Sequence, residues 1–148
     1  MMLYTISEAA VKMRLTPYTL RYYDREGLIP FVERSAGGVR MFKEKDFGWI
    51  RLIECMKATG MPIKEIKQFV DWYMEGNSTL QLRRDMFYER KELVEEQIES
   101  LQKTLDTIKY KCWFYDTAVA AGTTSVPKNM KPEDMPDEIR QLKGKIDL

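Results

Sequence analysis

Histidine is absent from this sequence, which removes at one stroke the commonest general base and the commonest metal ligand. Cysteine occurs only twice, as Cys55 and Cys112, far apart and with no CxxC pair. That usage fits a reduced compartment better than a disulfide-stapled secreted scaffold. A thiolate site for a soft metal needs at least two converging ligands. Residues 113–148 hold neither cysteine nor histidine, so no metal is expected unless Cys55 of a second copy approaches Cys112. No apolar run comes near the roughly eighteen residues of a membrane span, and the N-terminus lacks the basic-then-apolar order of a secretory leader. The expectation is a cytoplasmic protein with no membrane partner. Also missing are a Gly-rich phosphate loop and a nucleophile with a base signature beside it, so neither an enzyme nor a bound cofactor is expected.

A strong charge of one sign is lacking too. Lys and Arg total 24 against 23 Asp and Glu, a net charge of +1, and strongly basic DNA-binding domains usually declare themselves more loudly. The excess is local: residues 1–45 hold eight Lys or Arg against five Asp or Glu, and residues 76–148 hold twelve against thirteen. With 44% apolar and 11% aromatic residues in 148, the chain can build one compact core plus an extended helical element.

What is present begins with helix signals. Thr5-Ile6-Ser7-Glu8 is a capping box, in which Thr5 caps the amide of Glu8 while the Glu8 carboxylate returns to the amide of Thr5. A first helix is predicted from Ile6 to about Arg14. Thr16-Pro17 offers a second start, with proline at the first helical position, where a missing N–H costs nothing. That helix should end near Glu26, with Gly27 as terminator before Leu28-Ile29-Pro30. Ser35-Ala36-Gly37-Gly38 between the runs Phe31 to Arg34 and Val39 to Phe42 reads as a small hairpin or wing. A third helix is expected over Lys45 to Thr59, stopped by Gly60, and a fourth from Met61-Pro62 to Glu75.

After Gly76-Asn77-Ser78, neither proline nor glycine occurs until Gly122. Across that stretch Leu80, Phe87, Val94, Leu101, Ile108 and Tyr115 recur every seven residues, with Ile98, Leu105 and Cys112 completing the seam. Apolar positions at a seven-residue interval argue for a coiled coil, and at 1.5 Å per residue the segment reaches roughly 55 to 60 Å. One helix cannot bury its own stripe, so either a second copy covers it, the favoured expectation, or it folds back onto the N-terminal domain. The organisation expected is therefore 1–75 as a compact N-terminal domain, which the motifs below make a DNA-binding one, 78–121 as a coiled-coil helix and 122–148 as a short tail. The tail, punctuated by Pro127, Pro132 and Pro136, is expected to be loosely ordered apart from a helix over Asp137 to Lys143.

On a wheel of the second helix Tyr18, Arg21, Tyr22 and Arg25 share one face, while Leu20 and Tyr23 point the other way. Arginine makes bidentate contacts to guanine or phosphate and tyrosine hydroxyls reach phosphates, so this stripe fits a major groove. The alternative is a solvated face whose long side chains lie over the core. Taken with Tyr4-Thr5-Ile6-Ser7-Glu8-Ala9-Ala10, Thr19-Leu20-Arg21-Tyr22-Tyr23-Asp24-Arg25-Glu26-Gly27-Leu28-Ile29-Pro30, Gly38-Val39-Arg40-Met41-Phe42 and Gly60-Met61-Pro62-Ile63-Lys64-Glu65-Ile66-Lys67, the chain closely resembles the mercury-resistance-regulator (MerR) family. The resemblance covers about four fifths of the sequence.

It implies a mainly α protein, a winged helix-turn-helix domain followed by a long dimerisation helix that pairs antiparallel in a homodimer. It also implies binding to a palindromic operator in double-stranded DNA, where the protein distorts an overlong promoter spacer for RNA polymerase. By position, Arg21 would contact base or backbone, Tyr22 and Tyr23 would place the helix beside Tyr18, Arg34 and Arg40 with Gly38 would grip the backbone through the wing, and Lys64 would hold a flanking phosphate. The sequence departs from the family at Tyr18, where a basic residue is usual, and at Val39 and Phe42, where tyrosines are.

For the inducer, the third-helix wheel sets Cys55 beside Gly48, Arg51 and Ala58, off the apolar side made by Trp49, Ile50, Leu52, Ile53 and Met56. Its thiol is then reachable, and Arg51 one turn earlier favours the nucleophilic thiolate; the alternative is an inert residue packed against a partner's long helix. Ile53-Glu54-Cys55-Met56-Lys57-Ala58-Thr59-Gly60-Met61 resembles the branch of the family that answers aldehydes or other electrophiles, a stress response, through one cysteine. A competing site is a small-ligand pocket between Tyr22, the long helix and Trp113-Phe114-Tyr115, aromatics that otherwise serve as packing at a helix end. Outside DNA binding, the rival class is a coiled-coil adaptor that binds protein.

Overall fold

The computed structural model describes residues 2–146. The order is α1 (Ile6–Met13), α2 (Pro17–Arg25), β1 (Glu33–Arg34), β2 (Arg40–Met41), α3 (Glu44–Ala58), α4 (Ile63–Glu75), a 3₁₀ turn (Asn77–Thr79), α5 (Leu80–Ala121), α6 (Ser125–Asn129), a second 3₁₀ turn (Pro132–Asp134) and α7 (Asp137–Lys145). The chain divides into two compact units, Met1–Arg90 and Lys91–Leu148.

The N-terminal unit starts with the capping box. Thr5 Oγ1 accepts from the Glu8 amide at 3.2 Å and Glu8 Oε2 accepts from the Thr5 amide at 3.4 Å. Thr16 caps α2 at Thr19, 3.1 Å, with Pro17 in the first turn. Gly27 follows at φ 74°, where a Cβ would also stand 3.1 Å from Lys67 Cε, so glycine answers both a backbone and a space requirement. β1 and β2 pair antiparallel, Glu33 with Met41 and Arg34 with Arg40. The hairpin is shorter than the arms read from the sequence because Val32 and Phe42 turn into the core. Phe42 then exchanges two 2.8 Å backbone bonds with Tyr4, a third rung that local sequence does not announce.

Leu20 and Tyr23 of α2 meet Phe47, Ile50 and Ile53 of α3 and Ile66 of α4 in this core, all fully buried. The buried Asp46 carboxylate accepts from the Lys43 amide at 2.8 Å and starts α3. Between α4 and α5, Gly76 takes φ 91°. The buried Thr79 hydroxyl lies against the carbonyls of Trp72 and Gly76, and Arg83 donates to Thr79 Oγ1 at 3.1 Å and to the Gly76 carbonyl at 3.0 Å. Phe69 and Phe87 meet edge-on at 5.2 Å, and Arg90 pairs with Glu65 at 3.3 Å, tying the first turns of α5 to α4.

Further along α5 the heptad seam is bare: Leu101 is 68% exposed and Ile98 61%. In the C-terminal unit the tail is more ordered than expected. α6, the second 3₁₀ turn and α7 bring Met135, Ile139 and Leu142 onto Tyr110, flanked by Trp113 and Phe114. Two of its three prolines start elements instead of dissolving them: Pro132 is the first residue of the 3₁₀ turn and Pro136 caps α7, while Pro127 lies buried in α6. Met135, Ile139 and Leu142 recur at spacings of four and three, which gives α7 a face to bury.

Candidate nucleic-acid interface

α2 has two faces of opposite fate. Leu20 and Tyr23 are sealed in the core, whereas Tyr18 is 68% exposed and Arg21 and Arg25 lie open. The Arg25 guanidinium sits 5.8 Å from the Tyr18 ring centre and 6.0 Å from that of Tyr22, a cation–π arrangement that orders long side chains without neutralising them. Tyr22 is half-buried against the core. Arg21 takes part in no ion pair among the described residues. A basic, aromatic helix face held rigid from behind can enter a major groove.

The wing is fastened to that helix by one carboxylate. Asp24 Oδ1 accepts from Arg40 Nη2 at 2.7 Å and Nε at 3.0 Å, and Asp24 Oδ2 accepts from Arg34 Nη2 at 3.2 Å. Arg40 also donates to the Val32 carbonyl, and Arg34 to the Gly38 carbonyl at 2.7 Å. Gly38, at φ 81°, closes the turn through its amide to the Ser35 carbonyl at 2.9 Å. Sequence reasoning assigned Arg40 to the DNA backbone and gave Asp24 no role. Instead Arg40 has its side chain only 17% exposed and its donors committed within the protein, so it braces the wing. Arg34, at 49%, keeps half its surface free beside the exposed Val39.

Tyr23 also moves from contact to support. It is fully buried and its hydroxyl donates to Glu54; burial first, and the Glu54 carboxylate second, hold its hydroxyl protonated well above the usual tyrosine range. It places α2 through the core and presents nothing to DNA. Lys64 is exposed in the first turn of α4. Cys55 is exposed on α3, on the side away from the buried Ile50, Ile53 and Met56. In the other unit, Trp113 and Phe114 belong to the cluster under α7, and Tyr115 is 56% exposed.

Two family models match the chain, "MerR HTH family regulatory protein" over residues 4–71 and "MerR, DNA binding" over 48–110. An HTH-type transcriptional regulator of Haemophilus influenzae is 42% identical over 122 residues, 82% of this chain and 90% of its own. The chain belongs to the MerR family.

A second MerR-family relative, the HTH-type transcriptional regulator AdhR of Bacillus subtilis, is 38% identical over 61% of this chain and 65% of its own. Among solved structures, HiNmlR, a MerR family regulator lacking the sensor domain, bound to promoter DNA, superposes with a TM-score of 0.79 at 41% identity, covering 83% of this chain and 98% of that one. A MerR family transcriptional regulator from Bacillus thuringiensis gives 0.69 at 41% identity, covering 75% and 97%. This MerR-family chain is accordingly a DNA-binding transcription regulator with a mostly helical fold, and an adaptor that ignores DNA is not favoured. No helix among the described residues is long and apolar enough to cross a membrane.

Proposed function

We propose that this regulator binds a palindromic operator inside a promoter as an antiparallel homodimer in the cytoplasm and alters the spacer so that RNA polymerase can use it. Residues 1–75 serve as the reading domain, 78–121 as the dimer helix and 122–148 as a C-terminal appendage. The observation that carries the reading is the division of α2: Tyr18, Arg21 and Arg25 uncovered, Leu20 and Tyr23 sealed behind them. Arg21 reads a base edge or phosphate, Tyr18 and Tyr22 flank it, Arg34 with the Gly38 turn follows the backbone, and Lys64 takes a flanking phosphate. The uncovered seam at Ile98, Leu101 and Ile108 supports a second copy as its cover, since such a stripe in water is costly.

The inducer is an aldehyde-type electrophile sensed at Cys55, whose exposure on α3 supports access. The thiolate adds to the carbonyl carbon: an S–C bond forms, the C=O π bond breaks and the oxygen takes a proton, giving a hemithioacetal. Footprinting on the gene's own upstream region tests the operator reading. It should show two protected half-sites separated by a whole number of helical turns, about 34 Å each, and a single unpaired half-site would reject the dimer. In a transcription assay with methylglyoxal, Cys55→Ser should bind the operator normally and lose induction; full induction of that variant sinks the cysteine.

A further inference from the structure

The geometry points to a small-molecule site in the C-terminal unit that takes an organic anion with a flat apolar body. A cavity of about 440 Å³ is lined by Tyr110, Lys111 and Phe114 of α5, Lys128 of α6, Lys143 of α7 and Ile146. That volume lies within the range of ligand pockets, about 300 to 1,000 Å³.

Three lysines from three separate helices line it. Lys12, Lys43, Lys67, Lys91 and Lys103 each hold a carboxylate, but Lys111, Lys128 and Lys143 have no ion-pair partner among the described residues. Lys111 Nζ instead stands 5.0 Å from the Phe114 ring centre. Like charges gathered around one opening repel, and an anion between them relieves the repulsion. The floor is apolar: Tyr110 is 6% exposed and tilted against Phe114, ring centres 6.3 Å apart. A carboxylate among the lysines with a ring over Tyr110, Phe114 and Ile146 satisfies both halves of the lining.

The aromatic floor does not lie on the heptad seam: Tyr110 follows Ile108 by two positions and Phe114 follows Cys112 by two, about 200° round α5 from those residues. Lys111, three positions after Ile108, stands about 60° from it at the seam's edge. Nor does the site involve Cys55, which lies in the other unit; it therefore stands or falls separately from electrophile sensing.

Calorimetry of the full chain with 2-naphthoate, its neutral counterpart 2-naphthol and inorganic phosphate tests the assignment. Naphthoate should bind with one site per chain and bind at least about tenfold tighter than either comparison compound. Lys128→Gln with Lys143→Gln should weaken it by up to about fivefold per lysine removed, with the helical circular dichroism unchanged. Lys91→Gln with Lys103→Gln, on the same helix, should leave it unaltered. Equal affinity for naphthol would reduce the site to an apolar patch, and equal affinity for phosphate would reduce it to loose charge. Unchanged naphthoate binding in the Lys128 and Lys143 variant, or no heat with the wild type up to about 10 mM, would overturn it.

Discussion

A carboxylate that holds two arginines restrains both, the mostly covered Arg40 more than the half-exposed Arg34, and Asp24 does this between α2 and the wing. Asn at position 24 keeps the volume and removes the charge. With Arg34 and Arg40 released and a repulsive charge gone, Asp24→Asn should bind random duplex more tightly, with a salt slope steeper by about one to two. Its preference for operator over random duplex should shrink, and the N-terminal unit should lose about 1–3 kcal/mol, the cost of stranding hydrogen-bonding partners in a half-buried pair. Titrations at several salt concentrations and a denaturant melt read both effects, and an unchanged slope would make Asp24 a purely structural residue. The sequence hides this role because the partners stand 10 and 16 positions away, across a turn whose closure local patterns do not dictate. Burial of Tyr23, by contrast, follows directly from the helical wheel, which sets it beside Leu20 and so supports α2 from behind.

At the scale of elements, whatever is decided within one or two turns was legible. The Thr5–Glu8 box, the Thr16-Pro17 start, the Gly27 and Gly60 stops and the unbroken run to Ala121 are all local, and α1 to α5 fall where those signals put them. The Tyr4–Phe42 rung and the folding of the tail onto Tyr110 are not local, and periodicity alone missed them. The start of α3 carries a testable electrostatic arrangement. Glu44 accepts from the Tyr4 hydroxyl at 2.5 Å and from Lys12 at 2.9 Å, and these bonds, Tyr4 first, hold its carboxyl below the ordinary value of 4.5. A depressed carboxyl contributes stability above that value and loses it as the pH falls through the folded one. The wild type should therefore lose melting temperature more steeply than Glu44→Gln between about pH 5 and pH 3. In α5, Ile98→Lys with Leu101→Lys places charges on the bare seam. Light scattering should find the mass halved from a dimer to the 17.5 kDa chain, with operator affinity reduced and the N-terminal unit still folded; a wild type already monomeric would remove the dimer helix from the account.

For the whole molecule, the near-neutral net charge concealed a nucleic-acid protein because its basic excess is confined to the N-terminal third and balanced further on. What identifies it is placement: a recognition helix open on its basic face, a wing braced by Asp24, and a long helix with an uncovered stripe. Exposure of Cys55 and of that stripe is what the proposed sensing and pairing roles draw on. The central claim is that Arg21 and its neighbours on α2 read DNA, and the direct measurement is a duplex titration on the gene's own upstream region at two salt concentrations, comparing wild type with Arg21→Ala. The account predicts tight, salt-sensitive binding by the wild type, weakened by Arg21→Ala by about 1–3 kcal/mol if the contact is to a base, or with a salt slope smaller by about one if it is to phosphate. Equal binding by both proteins, or no duplex binding at either salt, would contradict it.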